Sequence, residues 1–212
     1  VKYIISMAVA MGVAFTLTWL FGTNNEQIRN EHKPCENKTE KAEQPAQAME
    51  TKAENADVAD DGIITAPLSG KAVKLENVPD QTFAQGILGL GAAIEPTEGK
   101  VVAPSDGKVE TLFDTFHAVG LTLDNGKELL IHVGINTVEL KGEGFKAYVS
   151  GGDRVTKGQT LITFDMDFIK SKGYQTITPV LVGNSDEFSS VEELAEEGTE
   201  VTIGDRLIKV NA

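Results

Sequence analysis

Residues 117–134 read HAVGLTLDNGKELLIHVG and give the clearest indication of secondary structure in this chain. The centre of this stretch is Asn125-Gly126, with a run of alternating apolar residues on either side. Asn-Gly between two such runs is a strong hairpin signal, because a type I′ turn needs a positive φ at both central residues. The stretch therefore predicts two antiparallel strands joined by a two-residue loop.

The register of this hairpin brings together two of the chain's three histidines. A two-residue loop places His132 opposite Val119, with His117 as its diagonal neighbour. Diagonal neighbours on one face lie roughly 7–8 Å apart, so two imidazoles can meet there. We predict that they do, and that they look outward into a shallow depression. The histidine face is predicted to carry Val119, Leu121 and Leu130, and the more continuous apolar face Ala118, Gly120, Thr122, Leu129, Ile131 and Val133.

Strand-length apolar runs continue through the chain from residue 63 onward. They are separated by Gly, Asp, Asn and Pro, which is the pattern of a β-sandwich or barrel. Only 166–173 and 189–197 look helical, the second because a Ser is followed by acidic residues. The predicted fold class is all-β with one or two short helices.

Two short sequence patterns occur twice in this region. Repeats of this length are too short to be solenoid units. We expect them to form matching corners of a folded-over β structure. The patterns are A-P-x-x-G-K, at 66–71 and 103–108, and Gly-Asp-Arg, at 152–154 and 204–206.

The first 22 residues differ in character from the rest. Residues 4–21 carry no charge, and their number is close to the roughly 20 apolar residues that span a bilayer. Trp19 and Phe21 lie near one end, as interfacial aromatic residues do. A secretory signal fits less well, because the apolar run is long and no small-residue cleavage site follows closely. We predict a transmembrane helix over 1–22.

Residues 23–62 are rich in Glu, Lys, Asn, Gln and Ala and poor in aromatic residues. Such a segment cannot bury enough apolar surface to fold, so we predict a flexible linker. It precedes a folded domain over 63–212. Because the sequence begins with Val, we expect it to be a piece of a longer protein.

Charge and cysteine content argue against several classes of protein. The net charge of -13 argues against a nucleic-acid partner, which requires basic patches. The single cysteine, Cys35, excludes an internal disulfide. His32 and Cys35 would make a poor metal site, because two ligands on a flexible segment are too few. No cofactor is expected.

Two adjacent imidazoles suit three kinds of chemistry. One neutral imidazole can act as a nucleophile while the other hydrogen-bonds the transferred group. The pair can be part of a metal site, which would need a further ligand, such as a carboxylate from a partner protein. It can also act as a general acid and base on a small molecule.

Four segments of the chain are similar, in the same order, to one known family. Together they resemble the IIA domain of the glucose/β-glucoside family of the bacterial phosphotransferase system. The resemblance covers about residues 63–212 and implies a mostly antiparallel sandwich or barrel of the duplicated hybrid motif type. Residues 1–22 and the linker resemble the end of a IIC permease domain in sugar permeases of the B-C-A order. The four segments are VPDQTFAQGILGLGAAIEPTEGKVVAPSDG, TFHAVGL, LLIHVGINTVELKGEGF and GDRVTKGQTLITFD.

The resemblance also implies roles for individual residues. His132 matches the phosphate-accepting histidine, and His117 matches the second histidine, which hydrogen-bonds the phosphoryl group. Thr115 matches the hydroxyl that orients that second imidazole. The partner-docking surface is implied to comprise Asp80, Phe83, Ile87, Leu88, Phe113, Leu130, Asn136 and Val138.

The implied partners are phospho-HPr as donor, the cysteine of a IIB domain as acceptor, and the linked IIC domain. The implied location is the cell membrane, with the IIA domain on its cytoplasmic side. Asn136 departs from the family, which usually has an aspartate there to receive an arginine of the donor. Asn keeps hydrogen bonding but loses the charge, so donor affinity or preference is expected to differ.

Other classes fit the residues less well. A cell-wall zinc peptidase needs an H-x-H pair with a further His and Asp, and a biotin or lipoyl carrier needs a modifiable lysine in M-K-M or D-K-A. Neither pattern is present. The alternative kept open is a non-catalytic regulatory or metal-binding β module on a membrane tether.

Overall fold

The computed structural model describes residues 61–212. The transmembrane helix predicted over 1–22 and nearly all of the linker predicted over 23–62 lie outside the described residues. Within residues 61–212, no helix is long and apolar enough to cross a bilayer.

The described residues form fourteen strands and two short α-helices, which confirms the all-β class. All strand pairings in this region are antiparallel. The strands are β1 Ile63–Thr65, β2 Gly70–Lys74, β3 Leu90–Pro96, β4 Lys100–Val102, β5 Gly107–Leu112, β6 Ala118–Leu123, β7 Glu128–His132, β8 Phe145–Ala147, β9 Arg154–Val155, β10 Thr160–Phe164, β11 Thr178–Val182, β12 Ser190–Glu193, β13 Glu200–Val201 and β14 Arg206–Asn211. The helices are α1 Gln81–Ala84 and α2 Met166–Ser171, and 3-10 turns cover Leu75–Asn77, Thr137–Leu140 and Ser185–Glu187.

The strands belong to one large sheet and two small ones. The large sheet has eight strands in the order β13-β2-β3-β11-β7-β6-β5-β9. The small sheets have the orders β1-β14-β12 and β4-β10-β8. Strands β6 and β7, which form the predicted hairpin, therefore lie well inside the large sheet.

One face of the large sheet covers the main hydrophobic core. Val119, Leu121, Leu129 and Ile131 point to this face, and each is at most 2% exposed. Burying an aliphatic side chain of this size contributes about 1.5–3 kcal/mol. The alternating pattern of β6 and β7 is thus explained by one buried face and one accessible face.

The turn of this hairpin has three residues, not the predicted two. Leu123 donates its N–H to the carbonyl of Lys127, and Gly126 donates to the carbonyl of Leu123, each at 2.9 Å. A type I′ turn requires a positive φ at Asn125, but only Gly126 has one here, at 83°. A type I turn followed by a left-handed glycine is the usual three-residue hairpin loop.

The longer loop moves the register by one residue. His132 lies opposite Ala118, and Val119 lies opposite Ile131, so the predicted face memberships are wrong. A one-residue slip moves every side chain of a strand to the other face. His132 shares the outer face with Ala118, Gly120 and Leu130, whereas Val119 and Leu121 belong to the core.

Of the two predicted helices, the structure contains one. Helix α2, Met166–Ser171, forms where MDFIKSKG predicts it, and its N-cap Asp165 accepts a hydrogen bond from the N–H of Phe168. Residues 189–197 do not form a helix, because Ser190–Glu193 pairs with β14 as strand β12. Pairing with a neighbouring strand here overrides a weak local helix preference.

The repeated Gly-Asp-Arg patterns do form matching corners. Asp153 donates its N–H to the carbonyl of Ser150, and its carboxylate accepts the N–H of Ser150. Asp205 makes the same pair of hydrogen bonds with Thr202. Each corner leads into a strand, β9 in one case and β14 in the other.

A second, smaller hydrophobic cluster lies on the outer face of the large sheet. The chain between β2 and β3, which contains α1, covers this part of the face. Leu181 of β11 belongs to this cluster, and Leu130 of β7 packs against it. The edge of this second cluster is where the histidine site is built. Its buried members are Leu75, Val78, Phe83, Ala93, Ile135, Ile177 and Leu181.

Candidate functional site

His117 and His132 contact each other, which confirms the prediction that their imidazoles meet. The ring centroids are 4.8 Å apart and the ring planes cross at 81°. Phe116, just before His117, has a φ of 55°, so the chain changes direction there and enters β6 at Ala118. The two rings therefore meet through this bend at the end of the strand, and not through the diagonal pairing predicted.

The side chain of His132 is oriented by the backbone beyond its own strand. Its Nδ1 lies 2.8 Å from the carbonyl oxygen of Gly134. A carbonyl oxygen can only accept, so Nδ1 carries the proton in the neutral ring. The lone pair of neutral His132 therefore lies on Nε2.

Gly134 is required by its backbone conformation and by its surroundings. Its φ is 74°, and a Cβ there would lie 2.5 Å from Cγ2 of Thr137 and 2.7 Å from the carbonyl oxygen of Gln175. Thr137 is fully buried, and its hydroxyl donates to the carbonyl of Val133. The carbonyl that orients His132 therefore sits in a tightly packed turn.

Thr115 orients the second imidazole, at the position the resemblance implies. Its Oγ1 lies 2.5 Å from Nδ1 of His117. A hydroxyl can donate or accept, so this contact allows either tautomer of His117. When Thr115 donates, the proton of neutral His117 lies on Nε2 and can be given to an oxygen of a bound group.

Both histidines are neutral at pH 7. Burial, and after it the imidazole of His132, lowers the pKa of His117 from 6.5 to about 4. Burial also lowers the pKa of His132, against the opposing effects of the Gly134 carbonyl and the Asp80 carboxylate. A neutral imidazole is a nucleophile, whereas a protonated one is not.

The Nε2 atoms of the two histidines are not fully enclosed, although His117 as a whole is only 5% exposed. Neither atom has a hydrogen-bond partner among residues 61–212. In the same region no buried side-chain nitrogen or oxygen lacks such a partner, so both Nε2 atoms reach solvent. The pair therefore presents one acceptor nitrogen and one potential donor nitrogen.

Two aromatic rings flank the imidazoles. The ring of Phe83 lies 5.0 Å from that of His132, and the ring of Phe113 lies 5.4 Å from that of His117. Phe83 is buried, whereas Phe113 is 41% exposed. The predicted docking residue Phe83 thus forms a wall of the site, and Phe113 lies on its rim.

Asp80 brings a negative charge to the site. As the N-cap of α1, it accepts hydrogen bonds from the N–H groups of Thr82 and Phe83, both through Oδ1. Its carboxylate raises the pKa of His132, in opposition to the effect of burial. Among the described residues, Oδ2 has no hydrogen-bond partner.

The other predicted docking residues lie on the surface. Leu88 and Leu130 line a groove of about 510 Å³ along the outer face of the sheet. Ile87, in the turn after α1, is 65% exposed, and Val138, in the 3-10 turn Thr137–Leu140, is 46% exposed. Asn136, before that turn, is exposed with a φ of 59°.

Sequence reasoning did not identify the carbonyl of Gly134 as the group that orients His132. The one sequence feature that indicates this carbonyl is a glycine two residues after the functional histidine. A metal ion has no complete site in this region, since no group of three or more His, Cys, Asp or Glu side chains could hold one among residues 61–212.

These features define a class of protein. An all-β domain that presents a neutral, oriented imidazole at an accessible site, beside a second imidazole, is suited to accept and release a group. The family model described as phosphoenolpyruvate-dependent sugar phosphotransferase system, EIIA 1, matches residues 62–188. The chain belongs to this family, and it is a phosphotransferase component that carries a phosphoryl group from HPr to IIB.

Similar proteins agree with this assignment. The chain is 47% identical over 135 residues to a glucose-specific EIIA component of the phosphotransferase system from Staphylococcus aureus, covering 64% of this chain and 81% of the relative. It is 48% identical over 137 residues to one from Halalkalibacterium halodurans, covering 65% and 79%. The solved structure of glucose permease IIA from Mycoplasma capricolum matches with a TM-score of 0.61 at 32% identity, covering 69% of this chain and 93% of that one.

Proposed function

We propose that Nε2 of His132 is the atom that accepts the phosphoryl group from phospho-HPr and passes it to the cysteine of a IIB domain. The observation that carries this assignment is the contact between Nδ1 of His132 and the carbonyl of Gly134. It fixes the proton on Nδ1 and leaves the lone pair on the accessible nitrogen. The lowered pKa of His132 keeps this lone pair free at neutral pH.

The transfer consists of two displacements at phosphorus. In the first, the lone pair of His132 Nε2 forms a bond to phosphorus while the bond to the donor histidine of HPr breaks, and that electron pair returns to the donor. In the second, the cysteine thiolate of IIB attacks, and the electron pair of the broken bond returns to Nε2. The Gly134 carbonyl stabilises the positive charge that the ring carries while Nε2 is bonded.

His117 is proposed to hold the phosphoryl oxygens without accepting the group. Phosphoryl oxygens only accept hydrogen bonds, so His117 must present a proton on Nε2. This requires Thr115 to donate to Nδ1 of His117, which their 2.5 Å contact permits. A neutral donor holds the group less firmly than an arginine would, and a carrier has to release it.

The partner surface is proposed to be the apolar residues around the site together with Asp80. Apolar residues of this kind are common at interface centres, and a rim charge steers the approach of a partner. Asp80 is proposed to receive a cation of HPr. Asn136 is proposed to contribute a neutral hydrogen-bonding group to the same surface. The apolar members are the exposed Ile87, Leu88, Phe113 and Val138 and the half-buried Leu130.

We also propose that residues 1–22 anchor the chain in the cell membrane as the last helix of a IIC permease domain of a B-C-A protein. The support is the uncharged run over 4–21, followed by the polar segment 23–62. The IIA domain would then lie on the cytoplasmic side, where a linker raises its effective concentration at IIB. A truncation that removes 1–22 should release the chain from the membrane fraction, and retention of the truncated chain would contradict the anchor.

The assignment of the two histidines is tested by phosphate transfer from phosphoenolpyruvate through the general components to the full chain. His132→Gln should take no label. His117→Gln should take acid-labile, alkali-stable label but pass it on poorly to IIB. Absence of label on the wild-type chain would overturn the carrier role and leave a partner-binding or metal-binding module.

A further inference from the structure

Two side chains, one in strand β12 and one after it, accept hydrogen bonds from the 3-10 turn Leu75–Asn77. The carboxylate of Glu193 accepts a hydrogen bond from the backbone N–H of Leu75, at 2.8 Å. The carboxylate of Glu197 accepts one from Nδ2 of Asn77, at 2.7 Å. Both ends of this turn are therefore tied to one segment that is distant in the sequence.

The same turn leads directly into the wall of the histidine site. Leu75, Val78 and Phe83 are buried members of one hydrophobic cluster, so the turn and the start of α1 pack as a unit. Phe83 contacts His132 with a centroid distance of 5.0 Å, and Asp80 lies between the turn and Phe83 in the chain. A shift of the turn would therefore move both groups that set the environment of His132.

We propose that Glu193 is a positioning residue for phosphoryl transfer, which fixes the Leu75–Asn77 turn and thereby the placement of Phe83 against His132. This inference rests on the assignment of His132 as the phosphoryl acceptor. It extends the functional part of the chain past residue 188, where the match to the family ends.

The hydrogen bond of Glu193 is the contact that carries this role. Leu75 is 6% exposed, and with Glu193 removed its backbone N–H would keep only water, from the groove that both residues line, as a partner. Water can replace the carboxylate as an acceptor, but it does not tie the turn to strand β12, so the turn could then shift. Glu197 and Asn77 are both exposed, so their contact is expected to contribute less.

The strand conformation of residues 190–193 is what brings Glu193 to the turn. Glu193 pairs with Ile208 and Glu192 with Lys209, and neighbouring residues of a strand point to opposite faces. Glu192 accordingly contacts Asn211 and Ser190, on its own small sheet. Glu192 therefore provides a matched control, with the same side chain one position away.

The experiment compares the full chain carrying E193A, E193Q or E192A with the wild type. It measures the rate of phosphoryl acceptance from phospho-HPr and the pKa of His132 by NMR titration. E193A should slow acceptance about fivefold, the effect of one lost hydrogen bond, and raise the pKa of His132, because burial by Phe83 would be reduced. E193Q keeps an acceptor oxygen and should restore both values, and E192A should change neither.

If Glu193 is purely structural, E193A should have a lower thermal stability but an unchanged pKa of His132 and an unchanged rate of phosphoryl acceptance. That result would overturn the proposal. If E193Q shows the same slower acceptance and raised His132 pKa as E193A, the proposal is also overturned, because the hydrogen bond to Leu75 would then not explain these changes. If E193A does not fold, E193D shortens the side chain and makes the same comparison. A wild-type chain that takes no label would instead contradict the proposed function.

Discussion

The carbonyl oxygen of Gly134 lies 2.8 Å from Nδ1 of His132, and this contact decides which nitrogen of the ring is nucleophilic. The carbonyl belongs to a turn in which Gly134 has a φ of 74° and is packed against Thr137 and Gln175. Backbone geometry two residues beyond the strand therefore sets the chemistry of the side chain.

Gly134→Ala should reduce phosphoryl acceptance, because the new Cβ would collide with the turn and displace the carbonyl. A left-handed alanine also costs about 1–2 kcal/mol of stability. Gly158→Ala is the matched control, with a φ of 83° and no atom near its Cβ position. Both variants carry the left-handed strain, so thermal unfolding should show a loss of stability in each, larger in Gly134→Ala because of the collision, whereas transfer assays should show a loss only in Gly134→Ala. Equal transfer by the two would argue against the role of this carbonyl.

Thr115→Val should slow transfer about five- to tenfold, since it removes one hydrogen bond to a catalytic imidazole without changing the shape of the side chain. Thr115→Ser keeps the hydroxyl and should retain most of the wild-type rate. The rates of both acceptance from phospho-HPr and delivery to IIB should be measured. If the valine variant works as well as the serine variant, the hydroxyl does not orient His117.

The stability of the chain should fall as the pH is lowered from 6.5 toward about 4, since the pKa of folded His117 is about 4. In this range the unfolded state binds a proton at His117 that the folded state does not, so the free energy of unfolding decreases by up to about 1.4 kcal/mol per pH unit. Denaturant unfolding at several pH values measures this slope. His117→Gln should have a shallower slope. The slope that remains in this variant should include a contribution of the same sign from His132, because burial also lowers the pKa of that residue. Identical slopes in the two chains would show that His117 is not buried as a neutral group.

Asn136→Asp should tighten the binding of phospho-HPr, because it adds a negative charge at an exposed position of the proposed docking surface. An exposed ion pair is weak, so the Michaelis constant for the donor should fall about two- to fivefold at low salt. The gain should shrink at high ionic strength. Asn125→Asp adds the same charge in the exposed hairpin loop and serves as the control. A similar gain from both substitutions would indicate a general effect of net charge.

The sequence was sufficient to predict the all-β class, the hairpin and the contact between His117 and His132. It did not predict the register, because Asn-Gly is compatible with both two- and three-residue loops. The choice depends on the φ of Asn125, which is not positive here. The face that is buried also depends on which residues of the main core pack against β6 and β7, and the sequence of the hairpin alone does not contain this information.

The segment 189–197 shows a second limit of sequence reasoning. Its Ser and acidic residues favour a helix locally, but residues 190–193 form an edge strand because β14 offers an unpaired backbone. The consequence reaches the site, since the strand places Glu193 against the Leu75 N–H. Contacts of this kind join residues far apart in sequence and have no local signature.

Locating the phosphoryl group on the imidazole would test directly whether Nε2 of His132 is the acceptor. The full chain should be phosphorylated with phosphoenolpyruvate and the general components, and the ring nitrogens examined by heteronuclear NMR with selectively labelled histidine. We predict phosphorus on Nε2 of His132, with the proton retained on Nδ1 toward Gly134. Phosphorus on His117, or on Nδ1 of His132, would show that Nε2 of His132 is not the acceptor.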